Sequence, residues 1–426
     1  MQSHTHSTLG IRHGWSDDHL VSLPAVDRLS HTYVIGKTGT GKSTLLRSLI
    51  LQDIHAGRGV GLIDPHGDLA ESLLASIPPY RLADVVYFNA ADTEYPLAWN
   101  VLKNKEGMSS ALVASGIVSA FKAIWKDSWG PRLEYLLYAA VASLLECENT
   151  SLLGVSRILS DKHYRAWVLK QVRDPGLLLF WQNEFEKYDE RFIREAIAPV
   201  QNKVGQLLLA PHVRNIFGQV QSKISMRFVM DNRRIFIANL AKGVIGDDKA
   251  NLLGALLVSA FQNAAMSRAG TPEAKRVDFH LVIDEFQNFS TEAFASILSE
   301  ARKYKLGLTV AHQYIEQMSE QVRAAVFGNI GTMIAFRVGE SDAAHLAREF
   351  GNDTVPSMLA DLANYDAYVR PLAKTSQAEP VRITTLAPDM QVHGTRETIV
   401  RHSRERFASQ KKQVEEKLQR WLRGKY

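Results

Sequence analysis

The sequence predicts an α/β fold with a mainly parallel sheet and an all-helical insertion. Three observations predict it. Thr32-Tyr33-Val34-Ile35 runs through a glycine-rich stretch into Leu45-Leu46-Arg47-Ser48-Leu49-Ile50, the order strand, loop, helix. Further apolar runs at Gly59–Asp64, Asp84–Phe88, Arg234–Asn239, Phe279–Glu285 and Gly307–Gln313 alternate with helical patterns, as βαβ units do. Between residues 105 and 230 strand signals vanish, and Leu, Ala, Trp and charged residues recur at helical spacing.

Composition fits a packed globular chain. Of 426 residues 46% are hydrophobic and 22% charged, which excludes an intrinsically disordered chain. The single cysteine, Cys147, excludes an internal disulfide framework and fits a reducing, cytoplasmic setting; it reads as a small core residue. The longest apolar runs fall short of the ~18 residues a membrane span needs. The N-terminus lacks a signal pattern, and His4, His6, His13 and His19 lack regular ligand spacing, so an irregular, solvated arm is expected there. Residues 9–30 read as a β-rich lead-in with Val21-Ser22-Leu23 as a strand.

Gly36-Lys37-Thr38-Gly39-Thr40-Gly41-Lys42-Ser43-Thr44 has the form G-x-x-x-x-G-K-[ST]. The chemistry dictates these residue types. Glycines let backbone N–H groups turn inward at phosphate oxygens, and the helix start adds partial positive charge. Lys42 would reach the β- and γ-phosphates of ATP, and Ser43 would hold Mg²⁺. Gly59–Asp64 then stops at Pro65-His66-Gly67, and Asp64 reads either as part of the metal shell or as a turn-initiating acid before proline.

From residue 105 to 230 the spacing predicts roughly five to seven helices, with a break at Asp174-Pro175-Gly176. Sheet character returns at Arg234, followed by a long helix over Asp248–Arg268. Phe279-His280-Leu281-Val282-Ile283 then ends in Asp284-Glu285. Asp284, at the strand end, is placed to contact Mg²⁺, and Glu285 to polarise an attacking water. Gln313, closing the next apolar run, reads as a γ-phosphate or water sensor, or as a plain strand-end hydrogen-bonding residue. Arg302 reads as an exposed cation or as one that faces a nucleotide on a neighbouring subunit. Thr332–Val338 and Asp366–Arg370 are further strands.

The tail from Arg396 carries ten Lys/Arg against four Asp/Glu, which leaves the rest of the +5 chain about neutral. Val400, Phe407, Val414 and Trp421 recur every seven residues, with Leu418 beside them. A basic amphipathic helix results, either packed on its own domain or contacting DNA or an acidic partner.

The ordered set resembles the HerA/FtsK-type motor ATPases, most closely the conjugative DNA-transfer coupling proteins of type IV secretion, over roughly residues 9–390. It rests on Arg28–Gly36 entering the loop, Ile63-Asp64-Pro65-His66-Gly67-Asp68, Leu281–Phe286, and Ala301-Arg302-Lys303-Tyr304 with Ala311-His312-Gln313. The resemblance implies a RecA-like P-loop NTPase core over 1–104 and 231–395, an all-α insertion over 105–230 and a helical tail over 396–426. It further implies ATP and Mg²⁺ as ligands, a homohexameric ring around DNA, Arg302 acting in trans, and Gln313 coupling nucleotide state to DNA. Family members usually carry N-terminal membrane helices; this chain reads as a relative without that anchor, on a mobile element or in a DNA-processing or defence system. Three functions follow for comparison: an ATP-driven DNA translocase, an ATPase that moves or recruits a protein in a secretion or defence complex, and a non-hydrolysing nucleotide-gated scaffold. Glu285 speaks against the last.

Overall fold

A computed structural model describes residues 5–103, 107–351, 354–372, 379–387 and 391–424. His4 and the 104/105 boundary expected above lie outside them. The strands are β1 (His6–Arg12), β2 (His19–Pro24), β3 (Thr32–Ile35), β4 (Gly59–Asp64), β5 (Val85–Asn89), β6 (Ile235–Asn239), β7 (Phe279–Ile283), β8 (Leu306–His312), β9 (Thr332–Ala335), β10 (Asp366–Arg370) and β11 (Val381–Thr385). They form one sheet in the order β2-β1-β11-β10-β9-β3-β8-β7-β4-β6-β5.

Strands β9, β3, β8, β7, β4 and β6 run parallel to one another. Their residues are buried throughout, the near-continuous apolar run that a sheet covered on both faces requires. Beyond β9 the pairing turns antiparallel through β10, β11, β1 and β2. Ile35 is in register with His312, and Ile283 with both Ile63 and Val310. The carboxyl ends of β3, β4, β7 and β8 therefore share one edge of the sheet, where open α/β sheets bind ligands.

The chain divides into two compact units. One comprises Met1–Tyr87, Phe228–Asn239 and Arg268–Arg401; the other comprises Phe88–Arg227, Leu240–Ser267 and His402–Tyr426. The first holds the parallel strands and the glycine-rich loop. The second is helical.

The N-terminal segment corrects the expectation of an irregular arm. His6 opens β1 and His19 opens β2, while His13 lies in the hairpin between them, 2.9 Å from Asp18. The physical reason is alternation: Ser7 and Leu9 point into the fold, and Gly10 lets the backbone come so close to β11 that a Cβ there would stand 2.3 Å from the Thr384 carbonyl oxygen.

In the helical unit, the interval expected to hold five to seven helices is cut into more and shorter pieces. Asp161, Asp174 and Asp189 each cap a new helix start with a side-chain oxygen. Pro175 and Pro211 open helices, and π-helical turns at Phe180–Glu184 and Gln201–Gly205 interrupt the run. The helix Asp247–Met266 buries a broad face that includes Leu252, Leu253, Leu256, Leu257 and Phe261. Cys147 is a core residue, its Sγ bonded to the Ser143 and Val168 carbonyls; burial pushes its pKa up to about 12, with Glu146 adding to the shift.

The tail differs from the single striped helix. It forms Arg396–Phe407 and Lys411–Leu422, broken where Ala408 bridges to Leu97 and Ser409 N–H donates to the Pro96 carbonyl. The seven-residue repeat therefore does not line one face. Val414 and Leu418 are buried in the helical unit, and the Trp421 ring lies edge-on to Tyr164 with Arg157 over it at 4.9 Å. Arg404 pairs with Asp92 at 2.7 Å and Lys411 with Glu94 at 3.4 Å. Packing on its own unit is the reading the structure supports for this segment.

Candidate nucleotide site

The loop Gly36–Gly41 leaves the end of β3, and the helix Lys42–His55 starts directly after it. Gly39 and Gly41 adopt φ of 77° and 119°, a backbone that side-chain-bearing residues rarely take. Gly36 is required by space instead: a Cβ would stand 2.6 Å from the Phe336 Cβ. Thr40 is buried and its hydroxyl donates to the Lys37 carbonyl. Lys37, Thr38, Gly39 and Ser43 are exposed, and Gly41 and Thr44 are half-buried, so the loop presents its rim to solvent. Gly36→Ala should destabilise the chain by about 1–3 kcal/mol through overpacking. A thermal melt at the wild-type midpoint would contradict this.

The Lys42 ammonium folds over the loop and donates to the Gly36 carbonyl at 2.6 Å and the Lys37 carbonyl at 3.1 Å. Burial lowers its pKa, while Glu285 and Asp284 pull the other way. Asp284 follows β7 and is almost fully buried; its N–H donates to the Ile63 carbonyl at 3.1 Å. Burial, then the charges of Asp64 and Glu285, push its pKa up to about 7, against the Glu285 N–H and Lys42. The turn reading accounts for Asp64, whose two oxygens accept from the N–H groups of His66 and Ala70, both at 2.9 Å.

Glu285 sits at φ 46°, a strained left-handed position. One of its oxygens accepts from Gln313 Nε2 at 2.9 Å, the other from Gln287 Nε2 at 2.7 Å. Gln287 was not singled out in the sequence; its position two residues beyond the acidic pair is the only signal it gives. Beneath them, His312 shares a 2.5 Å hydrogen bond with Tyr33 and lies against the Phe286 ring. Burial, then Lys42, brings the His312 pKa down to about 3, so the imidazole is neutral.

Lys42, Asp284, Glu285 and Gln313 thus come together at the carboxyl edge. Arg302 does not. It is exposed in the turn Ala301–Tyr304, at the amino end of β8. The seven residues of β8 separate it from Gln313, a span of about 23 Å.

The residues present fit a divalent cation. Burial first, and then the neighbouring charges of Asp64 and Glu285, make a lone negative charge on Asp284 costly, and Lys42 is the cation that offsets it. Among the described residues no three His, Cys, Asp or Glu side chains converge on a metal position. A site completed by phosphate oxygens needs fewer protein ligands, and the exposed Ser43 hydroxyl and Asp284 are the available pair.

The fold is that of a RecA-like P-loop NTPase core. Residues 278–360, from β7 through the helix Pro356–Ala360, match the family described as the TraM recognition site of TraD and TraG. No curated protein matches the chain. Among solved structures, the bacterial conjugative coupling protein TrwBdeltaN70 in its unbound form has a TM-score of 0.62 at 16% identity, covering 88% of this chain and 89% of that one. The plasmid coupling protein TrwB in complex with ADP and Mg²⁺ has a TM-score of 0.59 at 16% identity, with the same coverage. VirB4 of Thermoanaerobacter pseudethanolicus has a TM-score of 0.58 at 14% identity, covering 89% and 96%. At these identities the likeness is one of fold.

Proposed function

We propose that the chain is an ATP-hydrolysing DNA translocase of the coupling type, acting as a homohexameric ring in conjugative transfer or related DNA processing. The observation that carries this reading is the convergence of Lys42, Asp284, Glu285 and Gln313 on one sheet edge of a fold shared with TrwB along most of its length. TrwB was solved with ADP and Mg²⁺, which supports ATP and Mg²⁺ as the ligands here.

In this reading the N–H groups of Gly36–Thr44 cradle the phosphates, and Lys42 exchanges its loop carbonyls for β- and γ-phosphate oxygens. Ser43 and Asp284 would hold Mg²⁺, which would supply charge neutralisation at the phosphates. Glu285 orients a water and accepts its proton as the oxygen attacks the γ-phosphorus, while the bond from that phosphorus to the bridging oxygen breaks and ADP leaves with the electron pair. Gln313, bonded to Glu285, links that carboxylate to the end of β8. Arg302 lies too far from its own loop to serve it, which supports a role at a neighbouring subunit's phosphates. Among the described residues no helix is long and apolar enough to cross a membrane; we place the motor in the cytoplasm.

A second reading, an ATPase that recruits or moves a protein, is favoured by the match of residues 278–360 to a TraM recognition site. Hydrolysis measured with no DNA, single-stranded DNA and duplex DNA at two salt concentrations, beside a mass measurement of the assembly, separates the two. A rate raised by DNA, with the stimulation falling steeply as salt rises, supports the translocase. A rate unmoved by any DNA and raised by a partner protein alone contradicts it.

A further inference from the structure

We propose that Tyr365 is the platform for the nucleotide's base, an assignment that rests on reading Gly36–Thr44 as the phosphate site. Tyr365 immediately precedes β10, far in sequence from the loop, yet it is fastened to it. Its N–H donates to the Thr40 carbonyl at 2.8 Å, and its carbonyl accepts from the Thr385 N–H at 2.8 Å and the Thr385 hydroxyl at 3.0 Å. The turn carrying it is tied a second time: Arg337 donates to the Leu362 carbonyl and the Asn364 side chain, while the Arg337 carbonyl accepts from the Lys37 N–H.

These ties hold Tyr365 at φ 68°, a conformation that is a true outlier for a bulky residue. Strain of that kind persists where the surroundings over-determine it, as at ligand clamps. Its consequence is to lay the ring beside the helix start. The ring Cδ1 is 3.0 Å from the point a Cβ on Gly41 would occupy, and the Phe336 ring, fully buried, is 3.1 Å from the same point. One part of the tyrosine is thus packed against Gly41, while 49% of the residue stays open to solvent.

An exposed aromatic face fixed rigidly against the last glycine of a phosphate loop suits a flat heteroaromatic group attached to those phosphates. Every nucleobase has a π-face, so stacking holds it without reading its edge. Tyr365 therefore serves adenine and guanine nucleotides alike.

The test compares the affinity of the full chain for ADP, GDP and inorganic pyrophosphate, each with Mg²⁺, by calorimetry. Tyr365→Ala should weaken ADP and GDP about tenfold each and leave pyrophosphate unchanged, because pyrophosphate carries no base. Tyr365→Leu, which keeps an apolar plug against Gly41, should behave like Tyr365→Ala, and Tyr365→Phe should bind ADP as the wild type does. Equal weakening of ADP and pyrophosphate, or unchanged ADP affinity in both the alanine and leucine variants, overturns the proposal. Wild-type protein that binds none of the three would instead overturn the phosphate-loop reading beneath it.

Discussion

Arg302→Ala should lower the ATP turnover of the assembled protein about 10³–10⁵-fold while nucleotide affinity stays at the wild-type level. In energy this is roughly 4–7 kcal/mol of barrier. The position of Arg302 makes the split between binding and turnover specific. It stands at the amino end of β8, and the glycine-rich loop leaves the carboxyl end of the neighbouring β3. Within one chain its guanidinium belongs to the sheet edge opposite the loop, so substrate binding by that chain's own loop does not need it. Transition-state charge on the γ-phosphate is what a second subunit's arginine would meet. Single-turnover rates and nucleotide affinity measured on the same preparation check it. A variant that hydrolyses at the wild-type rate, or that loses binding in proportion to rate, contradicts the role in trans.

The second large effect concerns stability. Asp53 lies in the last turn of the helix that begins at Lys42 and is completely buried. One of its oxygens accepts from Arg28 at 2.8 Å and Arg58 at 2.7 Å, and Arg28 also donates to the Ser7 hydroxyl at 3.0 Å. The cluster fastens the far end of the loop-bearing helix to β1, to the turn before β3 and to the start of β4. Arg28 is only 1% exposed, so Asp53→Asn leaves a buried guanidinium without its counter-charge. Removing one partner of such a pair costs about 3–5 kcal/mol, or roughly 6–20 °C in melting midpoint for a unit of this size.

The pH dependence has a definite sign. Burial alone would raise the Asp53 pKa, but the charges around it, Arg28 foremost, outweigh burial and hold it below the ordinary 3.8. A depressed folded-state pKa contributes stability that is full above the unfolded value and is lost as pH falls through the folded one. The gap between wild type and Asp53→Asn should therefore be constant from neutral pH down to about 5, and narrow below 3.8. Equal melting midpoints at pH 7 would contradict the cluster's role.

The parts of this protein legible in its sequence are those whose chemistry fixes local spacing. Gly36–Thr44 and the apolar run into Asp284-Glu285 each fit within nine residues, so adjacent positions carry the whole signal. The parallel strands were legible for a related reason, since burial on both faces forces continuous apolar runs. What stayed hidden depends on partners distant in sequence. Nothing near Tyr365 announces Thr40, and nothing near Asp53 announces Arg28. The N-terminal arm was misjudged because β1 is an interior strand only by virtue of β11, more than 350 residues later. The tail is helical as expected, but its seven-residue repeat hides the break between Phe407 and Lys411, where Ser409 N–H donates to the Pro96 carbonyl and Lys411 N–H to the Glu94 carbonyl.

In the proposed function this loop hydrolyses ATP to do work on DNA. Phosphate release by wild-type protein and by Lys42→Ala, each with and without DNA, tests it most directly. Expected are Mg²⁺-dependent turnover that DNA raises in the wild type and no turnover in Lys42→Ala under either condition. Equal phosphate release by the two proteins, or a wild-type rate indifferent to DNA, would contradict it.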